Sequence, residues 1–178
     1  KLETYYNKIG LLSQEYAKYK LPVKQAIALG DTEESIDMER VYWAAEQSGA
    51  DEFIKEFKNG YDTQLGKEFE DGVEPSIGQW QKLALARIFY KNPQIWVLDE
   101  PTASIDAVAE MSIFNKLENL PKDKTVILIS HRFNTVKNAD KIIVIEHGEI
   151  AEMGNHIELM SRNGIYTNLF NTQKDSYE

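Results

Sequence analysis

Two short apolar runs rich in β-branched residues, Ile95–Leu98 and Thr125–Ser130, stand on either side of an amphipathic stretch, Asp106–Leu120. This alternation constrains the chain more than any other feature. A strand open to water on one face alternates apolar and polar residues, whereas a strand covered on both faces is apolar throughout. Continuous apolar strands joined by helices belong to parallel sheets, because a parallel crossover needs a dozen or more residues. The helical stretch carries Val108, Met111, Phe114 and Leu117 on the side expected to face the sheet, and Pro121 lies beyond its end. Ile9–Leu12 is another candidate strand, ending at Ser13-Gln14, and Ile142–Ile145 a further one. His147-Gly148 predicts a turn into Ile150–Met153. The expected fold is α/β, a parallel sheet covered on both faces.

Between the first two strands the periodicity is helical. Met38, Val41, Tyr42 and Ala45 repeat at i, i+3, i+4 and i+7, and Gly49 ends that helix. Asp51 is placed to cap a second, short helix bearing Phe53, Ile54 and Phe57, which Asn59-Gly60 stops. Gly66–Glu74 is charged and irregular, a loop. A third helix starts near Ser76 and runs to about Tyr90, with Trp80, Leu83, Ala84, Arg87 and Ile88 at helical spacing. Residues 21–91 therefore read as a helical insert in a core built from residues 1–20 and 92–178.

Composition narrows the function. The chain has 178 residues with 29 acidic against 20 basic side chains, a formal net charge of −9. That balance argues against nucleic acid as a partner, since phosphate-backbone binding needs a basic face. There is no cysteine, hence no disulfide framework, thiolate metal site or cysteine nucleophile. No apolar run approaches the roughly 18 residues that a membrane span requires, and no signal peptide opens the chain.

In an open parallel sheet, ligands sit beyond the carboxyl ends of the strands. Those ends carry Gln14, the pair Asp99-Glu100, and His131 after Ser130. Taken singly, each has an ordinary structural explanation: a solvated turn, a helix cap, a surface histidine. Pro75-Ser76-Ile77-Gly78-Gln79 opens the third helix with Ser76 as N-cap and Gln79 three residues on, the spacing of a capping box. A helix start also presents unpaired N–H groups to an anion such as a phosphate.

The order of these segments resembles the ATP-binding-cassette (ABC) ATPase domain of exporter-type ABC transporters. The resemblance runs through Gln14 as the glutamine loop, PSIGQ (Pro75–Gln79) as the signature that opens a helix, and IWVLDE (Ile95–Glu100) as the apolar strand ending in two acids. It continues through ASID (Ala103–Asp106) and ISHR (Ile129–Arg132), which contains the switch histidine. It implies a RecA-like P-loop-NTPase core, incomplete at its N-terminus, with the signature-bearing helical subdomain inserted. There are two departures. No G-x-x-x-x-G-K-[ST] phosphate loop occurs in the chain, which under the resemblance implies an N-terminal truncation and a fragment that does not hydrolyse ATP alone. The signature also has Ile77 and Pro75 where the family has Gly and Leu.

The resemblance further implies roles. Glu100 is the general base for the attacking water, and His131 hydrogen-bonds the γ-phosphate. Asp99 and Gln14 hold Mg²⁺, while Gln14, Ser76, Gly78, Gln79 and Asp99 contact the nucleotide, Ser76 and Gly78 reaching ATP on a second cassette. Ser104 and Asp106 lie at the interface between the two cassettes. The implied partners are that second cassette, in a homo- or heterodimer, and a transmembrane domain docked on a groove near residues 15–30. The implied location is the cytoplasmic face of the cell membrane. Two other readings stay open: a soluble ABC-type ATPase acting on nucleic acid, and a degenerate, non-catalytic cassette.

Overall fold

The computed structural model describes residues 5–32 and 35–175. By its contacts the chain divides into two compact units, residues 1–129 and 130–178. The first holds strand β1 (Ile9–Leu12) and helices α1 (Val23–Ala28), α2 (Met38–Ser48), α3 (Asp51–Ile54) and α4 (Ile77–Lys91). It also holds β2 (Ile95–Asp99), α5 (Ala107–Glu118) and β3 (Thr125–Ile129). The three strands form one parallel sheet in the order β1-β2-β3, with Leu12 opposite Leu98 and Asp99 opposite Ile129. The carboxyl ends of β1 and β2 therefore lie side by side, and the sequence that follows each emerges at one end of the sheet.

Helix α4 is the centre of this unit. Trp80, Leu83, Ala84, Leu85, Ala86, Ile88, Phe89 and Tyr90 are all buried, so the helix is covered nearly all round by its neighbours. Phe89 stands edge-on to Trp96 of β2 with ring centroids 5.0 Å apart, joining helix to sheet, and the Trp96 indole N–H donates to Pro93 O at 3.0 Å. Helix α2 starts at Asp37, whose carboxylate accepts from the N–H groups of Glu39 and Arg40. It ends at Gly49 with φ +71°, a left-handed C-cap that glycine adopts without strain.

Four expectations are corrected here. Among the described residues one face of the sheet is the better covered: Trp96 and Leu98 are fully buried, whereas on the opposite face Leu11 is 63% exposed, Ile127 50% and Ile129 52%. Continuous apolar sequence registers that a strand is suited to burial, not which segment covers it. On α5, Phe114 and Leu117 are buried as expected, whereas Val108 and Met111 are exposed; Ile113 and Glu110 take the inner positions instead. Asp51 does not cap α3, whose N-cap is Ala50; its carboxylate accepts from the Tyr61 hydroxyl at 2.8 Å and pairs with Lys55. The strand Ile142–Ile145 is not in the parallel sheet.

That strand lies in the second unit, which contains α6 (Phe133–Val136), β4 (Ile142–Glu146), β5 (Glu149–Gly154), α7 (His156–Arg162) and α8 (Ile165–Asp175). β4 and β5 form an antiparallel hairpin through His147 and Gly148, both at positive φ, so the predicted turn is present while the parallel pairing is not. Ile142, Leu159 and Tyr166 make a small core, against which Val144, Met160 and Phe170 pack.

Candidate functional site

Local sequence builds the start of α4. Ser76 Oγ accepts from Gln79 N–H at 3.2 Å, and the Gln79 side-chain carbonyl accepts from Ser76 N–H at 2.9 Å, the reciprocal capping box expected from the spacing. Both side chains are thus engaged in closing the helix, although the Ser76 hydroxyl keeps its own proton to donate outward. Ser76 is exposed, and Ile77 beside it is 63% exposed. The Ile77 carbonyl accepts from the Tyr16 hydroxyl at 3.0 Å, which ties the segment after Gln14 to the first turn of α4. Burial pushes the Tyr16 hydroxyl pKa above its ordinary value.

Gly78 is required by close approach. A Cβ at this position would sit 2.6 Å from Ser104 O, inside any tolerable contact with a backbone atom. The signature-like turn and the loop after β2 are therefore packed backbone to backbone within one chain.

The second turn leaves β2. Asp99 ends the strand and Glu100 follows in the left-handed region, φ +47°, unusual for a side chain of this size. Glu100 N–H donates to Ile129 O at 2.9 Å, continuing the sheet ladder by one step. Further on, Thr102 donates its hydroxyl proton to Glu110 at 2.7 Å, a buried pair that anchors the loop to α5. Asp106 caps α5 by accepting from the N–H groups of Val108 and Ala109. Those backbone hydrogen bonds hold its carboxyl below the usual carboxylate range, the Ala109 N–H foremost. Ser104 and Asp106 are both exposed.

Gln14 lies two residues beyond β1 and is exposed; β1 and β2 pair in parallel with Leu12 opposite Leu98, so the chain leaves both strands at the same end of the sheet. Neither the Asp99 carboxylate nor the Gln14 amide has a side-chain partner among the described residues. No cluster of three or more acidic or histidine side chains occurs among them either. His131 belongs to the second unit, where its carbonyl accepts from the Gln173 amide at 2.8 Å; its side chain is exposed.

Sequence reasoning missed Gln81. It is only 4% exposed; its Nε2 donates to Glu100 O at 2.9 Å and its Oε1 accepts from Ser104 N–H at 2.9 Å. The available signal was a polar residue on the same helical face as Ala84, Leu85 and Ile88. Near the expected docking groove, a cavity of about 270 Å³ is lined by Leu12, Tyr16, Tyr19, Gly30 and Arg87, among others. Arg87 donates to Ala17 O at 3.0 Å and stacks 4.6 Å over the Tyr19 ring; desolvation in this setting lowers its guanidinium pKa.

The family model for ABC transporters matches residues 2–103. ABC transporter B family member 13 of Arabidopsis thaliana is 40% identical over 98% of this chain and 14% of its own length. Multidrug resistance protein homolog 65 of Drosophila melanogaster is 40% identical over 94% of the chain and 13% of its own. A solved bacterial Atm1-family ABC exporter with ATP bound superposes with a TM-score of 0.86 at 31% identity, covering 96% of this chain and 29% of that one. The chain thus spans about a seventh of the two curated relatives' length.

Proposed function

The chain belongs to the ABC transporter family, and on that premise we propose that it is the nucleotide-binding domain of an exporter, coupling ATP binding and hydrolysis to transport across a membrane. Residues 1–20 and 92–178 supply the nucleotide core and residues 21–91 the signature-bearing helical subdomain. The observation that carries the reading is the placement of Asp99 and Glu100 at the carboxyl end of the central parallel strand, the end at which the chain also leaves β1 toward Gln14. That is where an open parallel sheet receives its ligand.

The reaction is in-line attack of water on the γ-phosphate of ATP, which is mostly a matter of positioning and charge neutralisation. Glu100 accepts the proton of the attacking water and orients its lone pair. Asp99 and Gln14 would hold the Mg²⁺ that accompanies ATP, which would supply charge neutralisation at the phosphate oxygens. His131 donates to the γ-phosphate. The Ser76 hydroxyl and the N–H groups at the start of α4, left unblocked by a side chain at Gly78, close over ATP held by a second cassette, with Gln79 bracing the turn. Ser104 and Asp106 meet that second cassette. A transmembrane domain docks on the cavity between Tyr16, Tyr19 and Arg87, which places the cassette at the cytoplasmic membrane surface; no described helix is long and apolar enough to span a bilayer itself.

The test is Glu100→Gln in the assembled transporter. The expected result is loss of ATP turnover by about 10²-fold or more with ATP binding retained. Turnover within about twofold of wild type would remove Glu100 as the base.

A further inference from the structure

We propose that Gln81 is the positioning residue that sets the direction of the Glu100 side chain and locks it to the position of helix α4. The inference rests on the reading of Glu100 as the base and extends it to a residue that touches neither nucleotide nor water.

The peptide planes on either side of a Cα set the direction in which its Cα–Cβ bond leaves the backbone, and hence which rotamers its side chain can adopt. At Glu100 the preceding plane is fixed by its N–H bond to Ile129 O, which belongs to the sheet. The following plane has its carbonyl held by Gln81 Nε2 at 2.9 Å, reinforced by Ala103 N–H at 3.3 Å. Between these anchors Glu100 adopts φ +47°. A non-glycine residue is disfavoured in this region and persists only where its surroundings over-determine it. One of the two anchors is thus a side chain 19 residues away, on the helix that opens with Ser76.

The same amide also accepts from Ser104 N–H. Gln81 spans the loop from its first residue to its fifth, and only one orientation of the amide satisfies both bonds, NH₂ toward the carbonyl and C=O toward the N–H. A carboxylate can make the second bond and not the first; an aliphatic side chain can make neither. Because Gln81 lies one turn inside α4, any shift of that helix against the sheet is imposed directly on the Glu100 carbonyl. Gly78 against Ser104 O makes the same join more rigid from the other side.

Three variants of the assembled transporter test this: Gln81→Leu, Gln81→Glu and, as the reference, Glu100→Gln. Gln81→Leu is expected to lower kcat for ATP by about 10- to 100-fold with KM within about twofold, because the base is misdirected while nucleotide contacts are untouched. In Gln81→Glu, the protonated carboxyl reproduces both bonds and the ionised one only one; burial raises its pKa. Its kcat relative to wild type is therefore expected to rise as the pH falls from about 8 to about 6, a trend that a purely structural role would not produce. A kcat for Gln81→Leu within about twofold of wild type, beside abolished turnover in Glu100→Gln, overturns the role of Gln81 alone. Retained turnover in Glu100→Gln overturns the reading beneath both. Should Gln81→Leu fail to accumulate as folded protein, a flat pH ratio for Gln81→Glu overturns the proposal and a rising one upholds it.

Discussion

At Ser76 the turn into α4 is closed by its own residues, Ser76 and Gln79 exchanging hydrogen bonds across three positions. At Glu100 the turn out of β2 is closed from far away, by Gln81 from the helix and by Ile129 from the next strand. The first turn contains everything needed to form it. The second exists only after helix and sheet have docked, and it alone holds a strained residue. A turn that must carry a defined carboxylate direction is built from long-range contacts, while a turn that only exposes N–H groups can be local. The two meet where Gly78 abuts Ser104, and perturbations there should separate them.

The largest expected effect outside the Glu100 and Gln81 variants is at that junction. Gly78→Ala inserts a methyl 2.6 Å from Ser104 O, so either α4 or the 100–104 loop must move. A destabilisation of about 1–3 kcal/mol, read as a lowered melting temperature, is expected, with ATP turnover falling further than stability explains. A melting temperature equal to wild type would mean the junction is soft.

Ser76→Ala probes the local turn alone. It removes one cap acceptor and should cost about 1 kcal/mol, also read in the melting temperature, while leaving the Glu100 turn and its Gln81 bonds intact. If hydrogen exchange at the Glu100–Ser104 amides accelerated in this variant, the two turns would not be independent.

The smallest effect is expected at Asp106, whose carboxyl is held below the ordinary range by backbone N–H groups. A folded-state pKa below the unfolded value stabilises the protein above the unfolded pKa, and that contribution is lost as pH falls through the folded one. Wild type and Asp106→Asn should therefore melt alike near neutrality, because Asn caps as well as Asp. Below about pH 4 wild type should lose stability relative to the variant. Parallel melting curves down to about pH 2 would show that the cap does not titrate with folding.

Much of the local fold, including the turn that opens α4, is legible in the sequence. The capping box at Ser76, the αL stop at Gly49, the strand Ile95–Asp99 and the hairpin turn at His147-Gly148 each rest on interactions within a few residues. Val108 and Met111 share the apolar stripe of α5 yet stay exposed, because helical spacing defines a stripe without saying how much of it a neighbour covers. Asp51 looked like a cap and instead serves Tyr61, a partner that periodicity cannot name. Gln81 escaped notice because a glutamine within a helix has no local signature.

Sequence by itself determined the elements, their caps and the order of chemistry-bearing residues, since periodicity, propensity and reciprocal capping act over one or two turns of chain. Tertiary structure alone decided which strands pair, which sheet face is covered and which distant amide directs Glu100. Those outcomes depend on surfaces brought together across tens of residues, and no short stretch of sequence encodes the geometry of its eventual neighbour.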